Sequence, residues 1–261
     1  MAVAVVTGSS SGIGQATAIA LANQGFDLVL HGNKNLAGLH ETAKTIHEQT
    51  DRQNKTIAMT CDLANASCCR SLIEFAFRWQ GNVDAWINVA GADVLTGSLA
   101  KSNFESKLER LWQVDVAATI RVSRAVAEKW TCDTAGKAPG EKPSLVNIGW
   151  DQSLTGMEGE AGQLFCTTKA AVEAFTRALA LELAPRARVN LVAPGWIETK
   201  WGADASEYWK NRACEESLLG RWGTAKDVAD TVAWICSPAA AFVNSQVIAV
   251  NGGLRPLQRT D

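Results

Sequence analysis

The chain has 261 residues, 47% of them hydrophobic, with 25 Lys and Arg against 27 Asp and Glu and a formal net charge of -2. A chain of this size can bury a large core as one domain, 1–261, and its near-neutral balance offers no basic field for nucleic acid or an anionic membrane surface, which favours small-molecule partners. No basic segment leads into an apolar stretch at the start and no apolar run reaches membrane-spanning length, which points to a cytoplasmic protein with neither nucleic acid nor membrane as partner.

A strand over Ala2 to Val6 leads into Thr7-Gly8-Ser9-Ser10-Ser11-Gly12-Ile13-Gly14, and Ile13, Thr17, Ala20 and Leu21 then follow at helical spacing to about Asn23. Strand, glycine turn and helix in that order form a phosphate site. Gly8 permits the bend, Gly12 lets backbone N–H groups approach a pyrophosphate, and Gly14 allows tight helix–sheet packing. Phe26 to Leu30 reads as the second strand, His31 to Asn35 as its loop and Leu36 to about Gln49 as a helix. Thr56 to Thr60, Ser67 to Trp79, Val83 to Asn88 and a long helix from Asn103 to Trp130 repeat the alternation. A surface loop from Thr131 to Pro143 separates that helix from a strand over Ser144 to Ile148, then a helix over Gln163 to Leu183 and strands over Val189 to Val192 and Gln246 to Val250. Helical crossovers between strands imply a parallel, doubly wound α/β sheet of Rossmann type, seven-stranded, with helices on both faces.

Ligands bind such sheets outside the carboxyl ends of the strands. Asp62 and Leu63 end the third strand, and Asn88, Ala90 and Gly91 end the fourth. Asp62 can accept a hydrogen bond from an adenine amino group, or can cap the following helix; small Ala90 and Gly91 leave room for a ribose. The 7 cysteines, an odd set without paired Cys-x-x-Cys spacing, read as reduced thiols, and Cys166 falls beside the candidate active-site face. The 3 histidines are too scattered to suggest a metal site.

These motifs give the chain a resemblance, over nearly its whole length, to the classical short-chain dehydrogenases/reductases. Thr7 to Gly14 is similar to that family's TGxxxGxG turn, Asp62 to its adenine contact, and Asn88 to Gly91 to its NNAG element with Val89 in place of the second Asn. Lys169 resembles its ribose-binding lysine. The segment Pro194-Gly195-Trp196-Ile197-Glu198-Thr199 resembles the one that meets the nicotinamide through Ile197 and the pyrophosphate through Thr199. The resemblance also implies a substrate lid at about 199–222 and assembly into a homodimer or homotetramer through the long helices and the final strand.

The catalytic half departs from the family pattern. The family carries a tyrosine four residues before the lysine, on the same helical face; here that position is Phe165, which has no proton to give. The family's serine is replaced by Gly149-Trp150-Asp151, with Trp150 the closest counterpart, and its helix asparagine by Asp115. Asp115 lies on the inward stripe of Leu108, Leu111, Thr119, Val122 and Val126, so it requires a partner, and Lys169 is the one the family geometry suggests. That places Asp115 either in a proton relay or in a structural pair. Asp151, at a strand end beside Trp150 and Phe165, is a candidate proton donor if apolar neighbours raise its pKa, or alternatively a turn-capping acid. Glu158 and Glu160 are weaker candidates.

The loop after the second strand has no acid to bond an NAD ribose hydroxyl, whereas Lys34 and His31, with Asn33 between them, can meet the extra phosphate of NADP; NADP(H) is therefore favoured over NAD(H), although Ser11 stands where NADP-preferring relatives often carry a base. Trp196, Trp201, Tyr208, Trp209 and Trp222 crowd the lid and imply either an apolar, planar ligand surface or the packing of the lid itself. Two function classes follow: an NAD(P)(H)-dependent oxidoreductase acting on a small carbonyl or alcohol compound with a non-standard proton donor (Lys169, Asp151 and Asp115 as catalytic residues), or a catalytically inactive NAD(P)-binding regulatory or scaffolding protein. Lyase or epimerase chemistry on a bound cofactor is a third.

Overall fold

A computed structural model describes residues 2–50, 54–133, 138–199 and 206–254. In chain order the main elements are β1 (Val3–Thr7), α1 (Gly12–Asn23), β2 (Asp27–Gly32), α2 (Leu36–Gln49), β3 (Thr56–Thr60), α3 (Ala66–Gln80), β4 (Ala85–Asn88), α4 (Phe104–Leu111) and α5 (Ala118–Asp133). They continue with β5 (Ser144–Ile148), α6 (Gly159–Leu183), β6 (Arg188–Pro194), β7 (Ile197–Glu198), α7 (Glu207–Glu216), β8 (Gly223–Thr224), α8 (Ala225–Cys236) and β9 (Val247–Val250).

Seven strands form one parallel sheet in the order β3-β2-β1-β4-β5-β6-β9, and β7 pairs with β8 apart from it. The sequence expectation of a seven-stranded, doubly wound α/β sheet is met. Strand residues alternate between its two faces as the pleat requires. Val3, Val5, Val29, Trp86, Leu145 and Val189 pack under α3, α5 and α6. Ala4, Val6, Leu28, Leu30, Ile87 and Val192 pack under α1, α2 and α8. The chain winds outward from β1 to β3 and then returns to place β4 on the other side of β1, so the strand order reverses there and a crevice opens at the carboxyl ends of those strands.

Three expected elements differ. The long helix over Asn103 to Trp130 is divided: a π-helical turn at Trp112–Ala117, with i→i+5 bonding, joins α4 to α5, and three consecutive side chains in it, Val114, Asp115 and Val116, are buried. Hydrophobic periodicity runs on through such a turn, with Leu111, Val122 and Val126 all buried, and so hides it. The loop expected from Thr131 is shortened because α5 continues to Asp133, and α6 starts at Gly159 instead of Gln163.

A buried polar chain runs beneath the crevice. The Trp86 indole donates to Asn88 Oδ1 (3.0 Å), the Asn88 amide donates to Ser123 (3.0 Å) and Asn147 (2.9 Å), and the Asn147 amide donates to Thr176 (2.9 Å). Mutual hydrogen bonding offsets the cost of burying these groups in the interior. Among the described residues no helix is long and apolar enough to cross a membrane.

Candidate active site

The turn between β1 and α1 is shaped by two glycines. Gly8 has φ +70°, and a Cβ there would lie 2.9 Å from the Ala90 Cα. A Cβ on Gly14 would lie 2.2 Å from the Gly8 carbonyl oxygen, so Gly14 is needed for the helix to pack on its own loop, a nearer contact than the sheet packing expected of it. Ser11 precedes α1 without a side-chain cap, and the first turn holds no acidic residue, which leaves backbone donors for an anion. From this turn a cleft of about 730 Å³ runs along the strand ends. Gly8, Ser10, Ser11, Ile13 and Gly14 form its floor; His31, Asn33, Asp62 and Leu63 line one end; Ala90 and Gly91 lead to Asp115, Phe165, Lys169 and Thr199. An uncapped helix N-terminus and a glycine floor at the sheet's reversal point fit a dinucleotide.

Gly12, Lys34 and Asn88 do not themselves line this cleft. The amide of Asn88 is committed to the buried chain under β4, which is why it cannot reach a ligand. His31 faces the cleft but belongs to β2, is buried, and has its Nε2 within 3.0 Å of the Cys61 carbonyl; burial holds its pKa down to about 4. His31 thus lines the cleft with a ring that is neutral near pH 7, able to meet a phosphate as a hydrogen-bond partner and not as a charge, and Lys34 is left as the cation of that loop. Asp62 accepts a bidentate pair of hydrogen bonds from Arg110 (both 3.1 Å) and one from the Ala64 N–H (3.0 Å). Partial burial acts to raise its carboxyl, but those bonds and the Arg110 charge outweigh it and hold the group below the usual carboxylate range. The cap of α3 is Asn65, not Asp62. Arg110, which lines the cleft, carried no signal in the sequence, since it stands among polar neighbours on α4.

At the far end Lys169 projects from α6 to within 2.9 Å of the Asp115 Oδ2, and the two side chains are 14% and 2% exposed. The other Asp115 oxygen accepts the Ala92 N–H at 2.8 Å, and the lysine lies 3.4 Å from the Ile148 carbonyl. The pair expected from the helical stripe is thus formed, inside the π-helical turn. Phe165, one turn before the lysine, meets Trp150 edge-on with ring centroids 6.3 Å apart.

A second cleft, of about 620 Å³, opens beyond Lys169. Trp150, Phe165, Trp196, Trp209 and Trp222 line it together with Pro194, Gly195 and Ile197. Lys169, Phe165, Ile13 and Thr199 border both clefts. Trp196 packs against Trp209 and Trp222 at 5.6 and 5.9 Å, and its indole donates to Glu216 at 2.7 Å. Glu216 also accepts from Arg212 (2.6 Å), which grips Glu158 with its other nitrogens. Glu160 pairs with Lys107 at 2.7 Å. Tyr208 is 62% exposed, stacked edge-on against Trp209, and outside the cleft wall; Trp201 lies outside the described residues.

Asp151 is the main correction. Gly149 N–H bonds to Val192 and Asp151 N–H to Pro194, extending the strand geometry past β5, so adjacent side chains turn to opposite sides. Trp150 enters the aromatic cleft and Asp151 turns away to accept the Asn251 amide at 3.0 Å. Its carboxyl is pushed up to about 6 by burial, as expected, but lines neither cleft. A raised pKa without access to substrate does not make a proton donor. Cys166 likewise lines neither cleft; its thiol lies 3.4 Å from the Gln152 carbonyl. Among the described residues no group of His, Cys, Asp and Glu is placed to hold a metal ion.

Comparison with known proteins agrees with this geometry. Residues 8–255 match the family model described as Enoyl-(Acyl carrier protein) reductase. The chain is similar to a 3-oxoacyl-[acyl-carrier-protein] reductase of Aquifex aeolicus, 33% identical with 97% of this chain and 96% of the relative covered, and to tropinone reductase-like 3 of Erythroxylum coca, 28% identical with 96% and 92% covered. Among solved structures, a short chain dehydrogenase of Burkholderia cenocepacia in complex with NADP superposes with TM-score 0.82 at 27% identity, covering 97% of each chain. A short-chain dehydrogenase/reductase of Brucella melitensis also superposes with TM-score 0.82, at 26% identity over 98% and 97%. The turn, the strand order and these matches together make the chain a member of the short-chain dehydrogenase/reductase family of NAD(P)-dependent oxidoreductases.

Proposed function

We propose that the protein is an NADP(H)-dependent oxidoreductase that interconverts a carbonyl compound and its alcohol with Lys169, oriented by Asp115, in the place a tyrosine hydroxyl occupies in the family pattern. The observation that carries this reading is the Lys169–Asp115 contact of 2.9 Å at the boundary of the two clefts, with Phe165 and Trp150 beside it.

Bound in the cleft along the strand ends, a nicotinamide dinucleotide would supply or accept the hydride. Written as reduction, the carbonyl carbon gains a hydride, its oxygen gains one proton, and NADPH becomes NADP+. The chain's own contribution is positional and electrostatic. Asp115 is fixed through Ala92 and holds the ammonium in place; Lys169 hydrogen-bonds the carbonyl oxygen, gives it one ammonium proton as the hydride arrives at carbon, and is reprotonated from water. General acid catalysis contributes roughly 10²–10⁴-fold, so turnover slower than that of a tyrosine enzyme follows from Phe165. NADP(H) is preferred because the loop after β2 carries Lys34 and no acid, and because a structural relative holds NADP. The expected substrate lid at about 199–222, of which residues 200–205 lie outside the described residues, is assigned to its described part, 206–222, and the active form is a homodimer or homotetramer.

The alternative, an inactive NAD(P)-binding regulatory or scaffolding protein, has Phe165 as its best argument, with Trp150 in the place of the family's serine beside it. NADPH oxidation against a carbonyl panel separates the two. Turnover by the parent chain, lost in Lys169→Met, supports the oxidoreductase; turnover gained only in Phe165→Tyr, with NADPH bound by both proteins, supports the binding protein.

A further inference from the structure

The aromatic cleft has a chemistry that the family's fold does not specify. Two groups of rings line it: Trp150 with Phe165, and Trp196 with Trp209 and Trp222. The second group is held by polar ties outside the cleft. The Trp196 indole bonds Glu216, the Trp222 indole donates to the Lys210 carbonyl at 3.2 Å, and the Arg212 guanidinium lies 5.2 Å from the Trp209 ring centre. Rings tied in this way present a preformed wall, and little ordering remains to oppose binding.

The charges around the cleft narrow the choice of ligand. Among the described residues lining it, Lys169 is the only cation, and Asp115 neutralises it. The acids are Glu158 and Glu160, satisfied by Arg212 and Lys107. No uncommitted cation among them receives a carboxylate, a phosphate or the acidic surface of a carrier protein. Ring-lined space with a single cation, Lys169, among its described lining residues recognises a flat ring system with one carbonyl.

We propose that this cleft takes a neutral, planar aromatic ketone, its rings against the tryptophans and its carbonyl toward Lys169, in preference to an acyl thioester. The proposal rests on the reading of the protein as a carbonyl oxidoreductase but is tested by binding, independently of turnover.

Calorimetric titration of the full chain, with and without NADPH, uses 1-tetralone as the aromatic ketone and acetoacetyl-coenzyme A as the thioester. The expected result is at least tenfold tighter binding of the ketone, weakened at least fivefold in Trp150→Ala and in Trp209→Ala, with NADPH affinity unchanged in whichever variant keeps the parent's circular dichroism. Tighter binding of the thioester, or ketone affinity unmoved in a folded variant, overturns the proposal. Absence of NADPH binding with the ketone still held by the tryptophans sinks the cofactor reading instead and leaves the recognition claim standing.

Discussion

The Lys169 ammonium and the Asp115 carboxylate, 2.9 Å apart and nearly buried, form a contact between α6 and the π-helical turn that joins α4 to α5. Both clefts meet at this lysine, so one contact ties two helical elements together at the point where the clefts join.

Asp115→Asn tests its structural half. The amide retains an oxygen for the Ala92 N–H but leaves the ammonium without a counter-charge, and breaking a buried pair costs roughly 3–5 kcal/mol when the remaining charge has no relief. Lys169 retains partial solvent access and the Ile148 carbonyl, which reduces the expected loss to about 1–3 kcal/mol. Denaturant unfolding reads this loss, and Lys169→Met in the same background restores part of it.

Asp151 gives a pH signature of stability. Burial raises its carboxyl to about 6 from an ordinary 3.8, so the folded chain binds this proton more tightly than the unfolded one. The stability it contributes is complete below pH 4 and is lost as pH rises through 6. Asp151→Asn removes that dependence: relative to the parent, the variant gains about 1–3 kcal/mol between pH 4 and 7, read from denaturant midpoints at each pH. Because the side chain turns to Asn251, turnover in the variant stays within a few-fold of the parent.

Gly14→Ala places a methyl group 2.2 Å from the Gly8 carbonyl, backbone against backbone, with nothing flexible to yield. The phosphate turn must open, at a cost of about 2 kcal/mol or more. NADPH affinity is expected to fall at least tenfold, measured by fluorescence titration of the folded fraction.

Lys34→Glu addresses cofactor choice. With His31 neutral above a pKa of about 4, the loop after β2 has this one cation, so the variant is expected to lose NADPH affinity at least tenfold while NADH affinity changes less than threefold. Between pH 6 and 8 the parent's NADPH affinity is expected to show no titration of His31.

The sheet was legible in the sequence because each strand is a short apolar run bounded by turn residues, and the glycine turn because strand, glycines and helix follow one another without interruption. Asp115 was legible too, since an acid on an apolar stripe demands a partner. What escaped depended on geometry finer than a pattern. Trp150 and Asp151 are neighbours, and only the hydrogen bonds of Gly149 and Asp151 to β6 decide which of them faces the cleft. Asn88 sits at the expected strand end, but its amide is taken by Ser123 and Asn147, residues far away in sequence. The bidentate partnership of Arg110 with Asp62 joins positions 48 apart that no local periodicity links. The π-helical turn preserved the apolar stripe on either side and so left no mark.

The most direct test of the account follows a deuterium atom. The folded parent chain is incubated with NADPH carrying deuterium at the transferable nicotinamide position and with a panel of carbonyl compounds, and the alcohols are analysed by mass spectrometry. The account predicts deuterium on the carbinol carbon with the parent chain and at least a hundredfold less with Lys169→Met. Saturation of the protein with NADPH and ketone, without transfer by the parent and with transfer by Phe165→Tyr, would contradict it.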